Sequence, residues 1–229
     1  LQIGWDLFGI GDVWYQLGDY NQALDYYQQA QVIFNTSHHS RGMIYTFVAL
    51  GGVFLATDRP TEALSYFEQA QQQAESLNDF RLMLRSYEAL AVYYRQLGTE
   101  ADLGHVIRLG NRIIKLAEEA NDFEHKILGY YLRAAGYFEL RNLKEAIASS
   151  SRVVAELDDL PYLESPQISI AEIYYTHSQI AAAMGQLDTS EAYFNKAYTE
   201  TLRKADLIAD EKLRRGFLIK VPLNQKIIA

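Results

Sequence analysis

The sequence predicts an all-α fold of stacked helix pairs, and three observations predict it. One spacing of small and aromatic residues comes back five times in 229 residues. Its interval is about forty residues, the length of a repeating two-helix unit, and self-similarity at such a period marks a solenoid. Small residues recur where the two helices of a pair approach closely, with large rings expected between successive pairs.

The first unit, about residues 1–37, carries Leu7, Gly11, Trp14, Leu17, Gly18, Tyr20, Ala23, Tyr27 and Ala30. The second, 38–78, reproduces the intervals with Phe47, Gly51, Phe54, Asp58, Pro60, Ala63, Phe67 and Ala70. The third, 79–121, has Tyr87, Ala91, Tyr94, Leu97 and Gly98, and the fourth, 122–163, has Tyr130, Ala134, Tyr137, Leu140 and Ala146. The fifth, 164–205, has Tyr174, Ser178, Ala181, Met184, Gly185, Phe194 and Ala197, and a capping segment fills 206–229. Gly11, Gly51, Ala91 and Ala134 are expected to face Ala23, Ala63 and Ala146 within their pairs. The whole chain, 1–229, is read as a single array.

These residues resemble the tetratricopeptide repeat, whose pattern runs W-x2-L-G-x2-Y, then A-x3-F, and closes with Pro. The resemblance covers nearly the whole chain and implies a right-handed superhelix of antiparallel helix pairs, about five of them plus a capping helix. The steps Ala23 to Ala63, Ala63 to Val106, Val106 to Ala146 and Ala146 to Ser190 are 40, 43, 40 and 44 residues, against ~34 in the standard repeat. Six extra residues add roughly 9 Å of helix, so unusually long helices are expected. This stretched form resembles the arrays of maltose-regulator-type bacterial transcription activators, of peptide-sensing bacterial regulators and of kinesin light chains.

The closing Pro is absent from every copy. Asn35, Asn78–Asp79 and Asn121–Asp122 stand near the joints instead, where such side chains bond their own backbone. Thr99–Gly104 adds three residues to the third turn. Pro60 suits the first turn of a helix, and Pro161 and Pro166 bracket a longer joint with Ser165 as N-cap. The tail Phe217-Leu218-Ile219-Lys220-Val221-Pro222-Leu223-Asn224-Gln225-Lys226-Ile227 resembles the F-L-x-x-V-P-x-N-x-x-I segment that closes such arrays in large bacterial signalling proteins. Phe217, Leu218 and Ile219 are expected to cover the end of the stack, with Pro222 ending that helix and Asn224 starting a final turn. The chain opens at Leu1 inside helical pattern without an initiating Met, which reads as a piece of a larger protein.

Composition excludes several classes. An apolar content of 49% suits a folded protein, and no run approaches the ~18 apolar residues of a membrane span. With no cysteine, disulfides and thiol chemistry are excluded, and a cytoplasmic protein is expected. A charge of −8, with 29 acids against 21 bases, argues against nucleic acid. Lys212, Arg214, Arg215 and Lys220 read as a solvated helix face, and Asp158–Asp159 and Glu118–Glu119 as surface charge.

No phosphate-cradling loop, serine elbow or His-Glu-x-x-His pair occurs, so no enzyme, cofactor or metal site is read. His38 and His39 are taken as exposed joint residues, His105 and His125 as polar helix positions, and His177 as a hydrogen-bonded interior residue. Asn35-Thr36-Ser37 is a sequon in form only.

The resemblance implies that partners lie along a groove lined by the first helix of each repeat. Carried onto this sequence, that surface takes Trp5, Phe8, Asp12, Tyr15 and Gln16, then Tyr45, Val48, Gly52 and Leu55. The third repeat adds Arg85, Glu88, Val92, Arg95 and Gln96, the fourth Leu128, Tyr131, Ala135, Phe138 and Glu139, and the fifth Glu172, Tyr175, Gln179 and Ala182. Rings and arginines favour such a role, because rigid rings bury area at low entropy and guanidinium forks bind carboxylates. Arg85 and Arg95, three turns apart on one helix, are the expected polar anchors. The carboxylate clamp of cochaperone repeats is not expected, since its places hold Phe8, Asp12, Ala49, Arg85 and Ala89. The expected function is a non-catalytic scaffold for a protein or peptide segment, including another domain of the same polypeptide, within a larger bacterial regulator. A peptide-pheromone or small-molecule sensor of a transcription regulator is the alternative.

Overall fold

The computed structural model describes residues 1–157 and 168–229. Pro161, Ser165, Pro166 and the Asp158–Asp159 pair lie outside them. Among the described residues the chain is helical with no strand, and none of the helices is long and apolar enough to cross a membrane. Two compact units divide it, Leu1–Tyr93 and Tyr94–Ala229.

The first unit holds α1 (Gln2–Gln16), α2 (Tyr20–Thr36), α3 (Ser40–Ala56), α4 (Pro60–Leu77) and most of α5 (Phe80–Leu97). Helix α1 packs on α2, α3 on α4, and α2 on α3. Left-handed residues make the turns: Gly18 at φ 75°, His38 at 52°, Asp58 at 59° and Asn78 at 50°. Asn35 stays inside the last turn of α2, and His38 takes the left-handed joint position instead. Asp19 caps α2 by accepting from the Gln22 amide, and Pro60 opens α4 where its missing N–H costs nothing.

Burial recurs in register forty residues apart. Ala23 and Ala63, Tyr27 and Phe67, and Ala30 and Ala70 are all closed from solvent. The expected partnership of small residues is corrected in one respect. A Cβ on Gly11 would come within 2.6 Å of the Tyr27 ring, and one on Gly51 would collide with Phe67. The glycines therefore seat the rings of their own pair, because a ring laid flat on bare backbone fills the space that two small residues would leave empty.

The second unit holds α6 (Glu100–Ala120), α7 (Phe123–Glu139), α8 (Leu143–Leu157), α9 (Ile170–Ala183), α10 (Leu187–Asp206), α11 (Glu211–Lys220) and α12 (Pro222–Ile228). The extra residues after Gly98 extend the helix and leave the turn short. Thr99 is the N-cap, accepting from the Asp102 amide, and α6 runs for 21 residues. Helices α6 and α7 cross at paired glycines, where a Cβ on Gly110 would stand 2.9 Å from the Gly129 carbonyl. His177 is interior, with its Nδ1 2.9 Å from Ser150 Oγ and Tyr193 edge-on to its ring. Burial, then Lys196, lowers its pKa to about 4, so it is neutral at pH 7.

The tail folds as two short helices. Phe217 and Ile227 are buried while Ile219 is exposed. Pro222 starts α12, and Asn224 lies within that helix, donating from Nδ2 to the Phe217 carbonyl at 3.0 Å. Ile227 packs with Ala171 and Ala197, against Tyr174, Tyr175 and Leu223, so α12 lies over α9 and α10.

Candidate functional site

In the first unit, α1, α3 and α5 bring several of the expected residues together. Trp5 meets Phe8 at 5.9 Å and Tyr45 at 5.4 Å between ring centroids, both edge-on. Phe8 also meets Tyr45 at 5.9 Å. The Arg85 guanidinium lies 4.3 Å from the Tyr45 ring centroid, in cation–π range. Trp5, Tyr45 and Arg85 are half-buried and thus keep a reachable edge. Arg85 has no ion pair among the described residues, although Asp12 is close enough for their charges to interact.

Asp12 accepts from the Tyr27 hydroxyl at 2.6 Å. Burial drives its pKa up to about 6, more than the Tyr27 hydrogen bond and the Arg85 charge pull it down. Burial and the neighbouring carboxylate also push the Tyr27 hydroxyl upward, keeping it a donor. The sign for stability follows. The folded state binds this proton more tightly than the unfolded chain, so the contribution is complete below 3.8 and lost as pH rises through about 6. Asp12→Asn keeps an acceptor for Tyr27 without the charge. It is expected to stabilise the chain by about 1–2 kcal/mol at pH 7.5, with the gain shrinking toward pH 4.5. Urea denaturation at both pH values checks this, and equal gains at both would refute the proposed cost of the buried charge.

His39 belongs to this cluster although it reads in sequence as an exposed joint residue. Its ring accepts from the Gly42 amide at 3.0 Å and packs on Trp5 and Phe34. The signal was available: a residue immediately before a helix whose side chain can accept is a cap. Tyr15 stays on α1, against Tyr20 at 5.5 Å.

In the second unit, Arg95 is already occupied. Its Nε donates to Glu139 Oε1 at 2.7 Å, and its Nη1 to the Tyr131 hydroxyl at 2.7 Å and Glu172 Oε1 at 3.0 Å. Tyr131 donates in turn to Glu172 at 2.7 Å. Burial opposes the charge on Arg95, but Tyr131, Glu172 and Glu139 outweigh it and raise its pKa. One guanidinium thus joins α5, α7 and α9, and its fork is spent on the chain's own acids.

Other expected lining residues are closed from solvent. Glu88 and Tyr131 are both 2% exposed, and Val48, Leu55, Leu128 and Ala135 are buried too. Phe138 packs against the Ala134–Ala146–Ile180 cluster, and Tyr175 lies under α12. His105 stacks on Tyr94 at 4.7 Å, and His125 bonds Asp122, the N-cap of α7.

Helix pairs with small residues under rings, and arginines on the first helices, define a helical-repeat protein. Residues 6–37 and 171–201 each match a family model described as the tetratricopeptide repeat. Those two segments each carry a tetratricopeptide repeat. Among solved structures, a kinesin light chain repeat protein from Podosopora anserina is 16% identical with a TM-score of 0.58. That likeness covers 90% of this chain and 96% of the other. A thermophilic repeat protein of Thermus thermophilus is 20% identical with a TM-score of 0.60, covering 95% and 98%. At such identities the likeness is one of fold. No curated protein matches the chain.

Proposed function

We propose that this chain is a non-catalytic interaction scaffold that holds a peptide or protein segment on the face formed by Trp5, Asp12, Tyr45 and Arg85, with Phe8 buried beneath it. One observation carries the reading: Arg85 sits over Tyr45 at 4.3 Å without an ion pair among the described residues. A cation held by a ring and offered at a half-open edge has unused donors, which is the chemistry of a binding hot spot. Arg95 differs, because its Nε and Nη1 donors are consumed internally. Tetratricopeptide folds use one scaffold for unrelated ligands, so the argument rests on the residues. The same reading makes the chain the partner-binding or sensor region of a larger bacterial regulatory protein, and the tail pattern supports that context.

Trp5 supplies the readout. In a Trp14→Phe background it is the one remaining tryptophan, and it touches Tyr45. Peptides selected by display against the chain are expected to shift its emission. Arg85→Gln with Tyr45→Ala is expected to weaken those peptides tenfold or more while the helical circular dichroism holds. Unchanged affinity in the folded double variant would remove this face from the reading.

A further inference from the structure

Setting Ala63 of the second repeat against Ala146 of the fourth aligns Phe47 with Tyr130, Leu50 with Arg133 and Tyr66 with Ser149. In the second repeat these places are closed by apolar contact: Leu50 is 0% exposed, and the Phe47 and Tyr66 rings meet at 6.0 Å. In the fourth, a serine stands where the second ring was and an arginine where the leucine was. Arg133 donates from Nε to Ser149 Oγ at 3.1 Å and from Nη1 to Asn111 Oδ1 at 3.2 Å. Its guanidinium lies 4.8 Å from the Tyr130 ring centroid, and that of Arg152, on α8, lies 5.4 Å from the same centroid. Arg152 also donates from Nη1 to the Tyr130 hydroxyl at 3.1 Å.

Two guanidiniums thus border one ring, and among the described residues neither has an acid partner. Glu156, one turn from Arg152 on α8, is held by Lys126 at 3.2 Å. The capacity left over is all of one kind. Arg133 Nη2 and Arg152 Nε and Nη2 make no bond among the described residues, and the Tyr130 hydroxyl, which accepts from Arg152, meets no acceptor there for its own proton. Cations side by side repel, and an anion between them relieves the repulsion.

We infer that Arg133, Arg152 and Tyr130 form a binding site for a phosphate monoester. Its three terminal oxygens take one donor group each, and planar guanidinium forks match phosphate geometry. A carboxylate, with two oxygens in one plane, would leave a donor unused. A nucleic-acid backbone asks for a basic stripe, whereas this chain carries 29 acids against 21 bases. The site lies wholly in the second unit and does not rest on the reading of Arg85.

The test titrates the whole chain by calorimetry with inorganic phosphate, with an acetylated and amidated glycine-phosphoserine-glycine peptide, and with the same peptide carrying glutamate for phosphoserine. Phosphate and the phosphopeptide are expected to bind at submillimolar Kd, and the glutamate peptide at least tenfold more weakly. A phosphopeptide tenfold tighter than inorganic phosphate makes the ligand a phosphorylated segment, and equal or weaker peptide binding makes it a free phosphate. Arg152→Gln, an exposed change that breaks only the bond to Tyr130, is expected to weaken both tenfold or more with the urea midpoint unchanged. Arg133→Leu, which restores the residue of the second repeat, should abolish binding, and Tyr130→Phe should weaken it several-fold while keeping the ring. Parental affinity in the folded Arg152→Gln variant, or a glutamate peptide bound as tightly as the phosphopeptide, overturns the inference.

Discussion

Gly51→Val is expected to destabilise the first unit by about 4 kcal/mol and to show it as a lower urea midpoint with the denaturant slope retained. The reason is local and steric. Even a single Cβ at this place collides with the Phe67 ring, and Phe67 is fully buried. The two branches of valine must then push the helices of the pair apart, loosening Ala63 and Ala70 as well. Relief should come from the partner: Gly51→Ala costs about 2–3 kcal/mol alone, and adding Phe67→Leu should return part of that by vacating the ring's edge. Gly9 supplies the contrast. It lies in α1, exposed, with nothing within 4 Å of a new Cβ, so Gly9→Ala should stabilise by about 0.5–1 kcal/mol through helix propensity. Equal effects at Gly9 and Gly51 would show that helix propensity, and not ring seating, governs the glycines.

Arg95→Ala is expected to cost the second unit about 2–4 kcal/mol. The loss arises less from the bonds removed than from what remains: Glu139 and Glu172, with side chains 31% and 21% exposed, stay beside the buried Tyr131 hydroxyl with no cation. Their partial exposure lets water offset some of the loss and keeps the figure below that of a fully buried pair. A double-mutant cycle separates the two contributions. Glu172→Gln in the Arg95→Ala background should be milder than in the parent, giving a coupling of about 1–2 kcal/mol. Additive effects would mean that the geometry seen at 3.0 Å contributes nothing. The practical consequence concerns binding experiments: an Arg95 variant that loses a partner does so through unfolding, whereas Arg85→Gln tests recognition without disturbing an ion pair.

The two arginines also show where sequence reading stops. On one helix, ten residues apart, they are indistinguishable by type and register, and both qualify as anchors. What separates them is the set of side chains brought alongside from helices distant in sequence. Glu139 and Glu172 lie 44 and 77 residues from Arg95, and their reach to its fork depends on how α7 and α9 are rotated. Glu88 and Tyr131 failed as surface residues for the same reason, since a rotation of a few tens of degrees about a helix axis moves a position from rim to core. His39 failed differently, as its capping role follows from the exact start of α3, the least certain feature of any pattern.

The sequence by itself determined the repeat, its forty-residue period, the long helices and the alanines and rings of the core. Each of these is a short-range regularity, fixed by helical periodicity and by the volume of side chains that must fit between two helices. Tertiary structure alone decided which ring lies on which glycine, that Arg95 is held internally while Arg85 is offered, and that Asp12 is pushed up to about 6. Those outcomes depend on desolvation and on charges from separate helices, which fall off over a few ångströms and so exist only once the helices are packed.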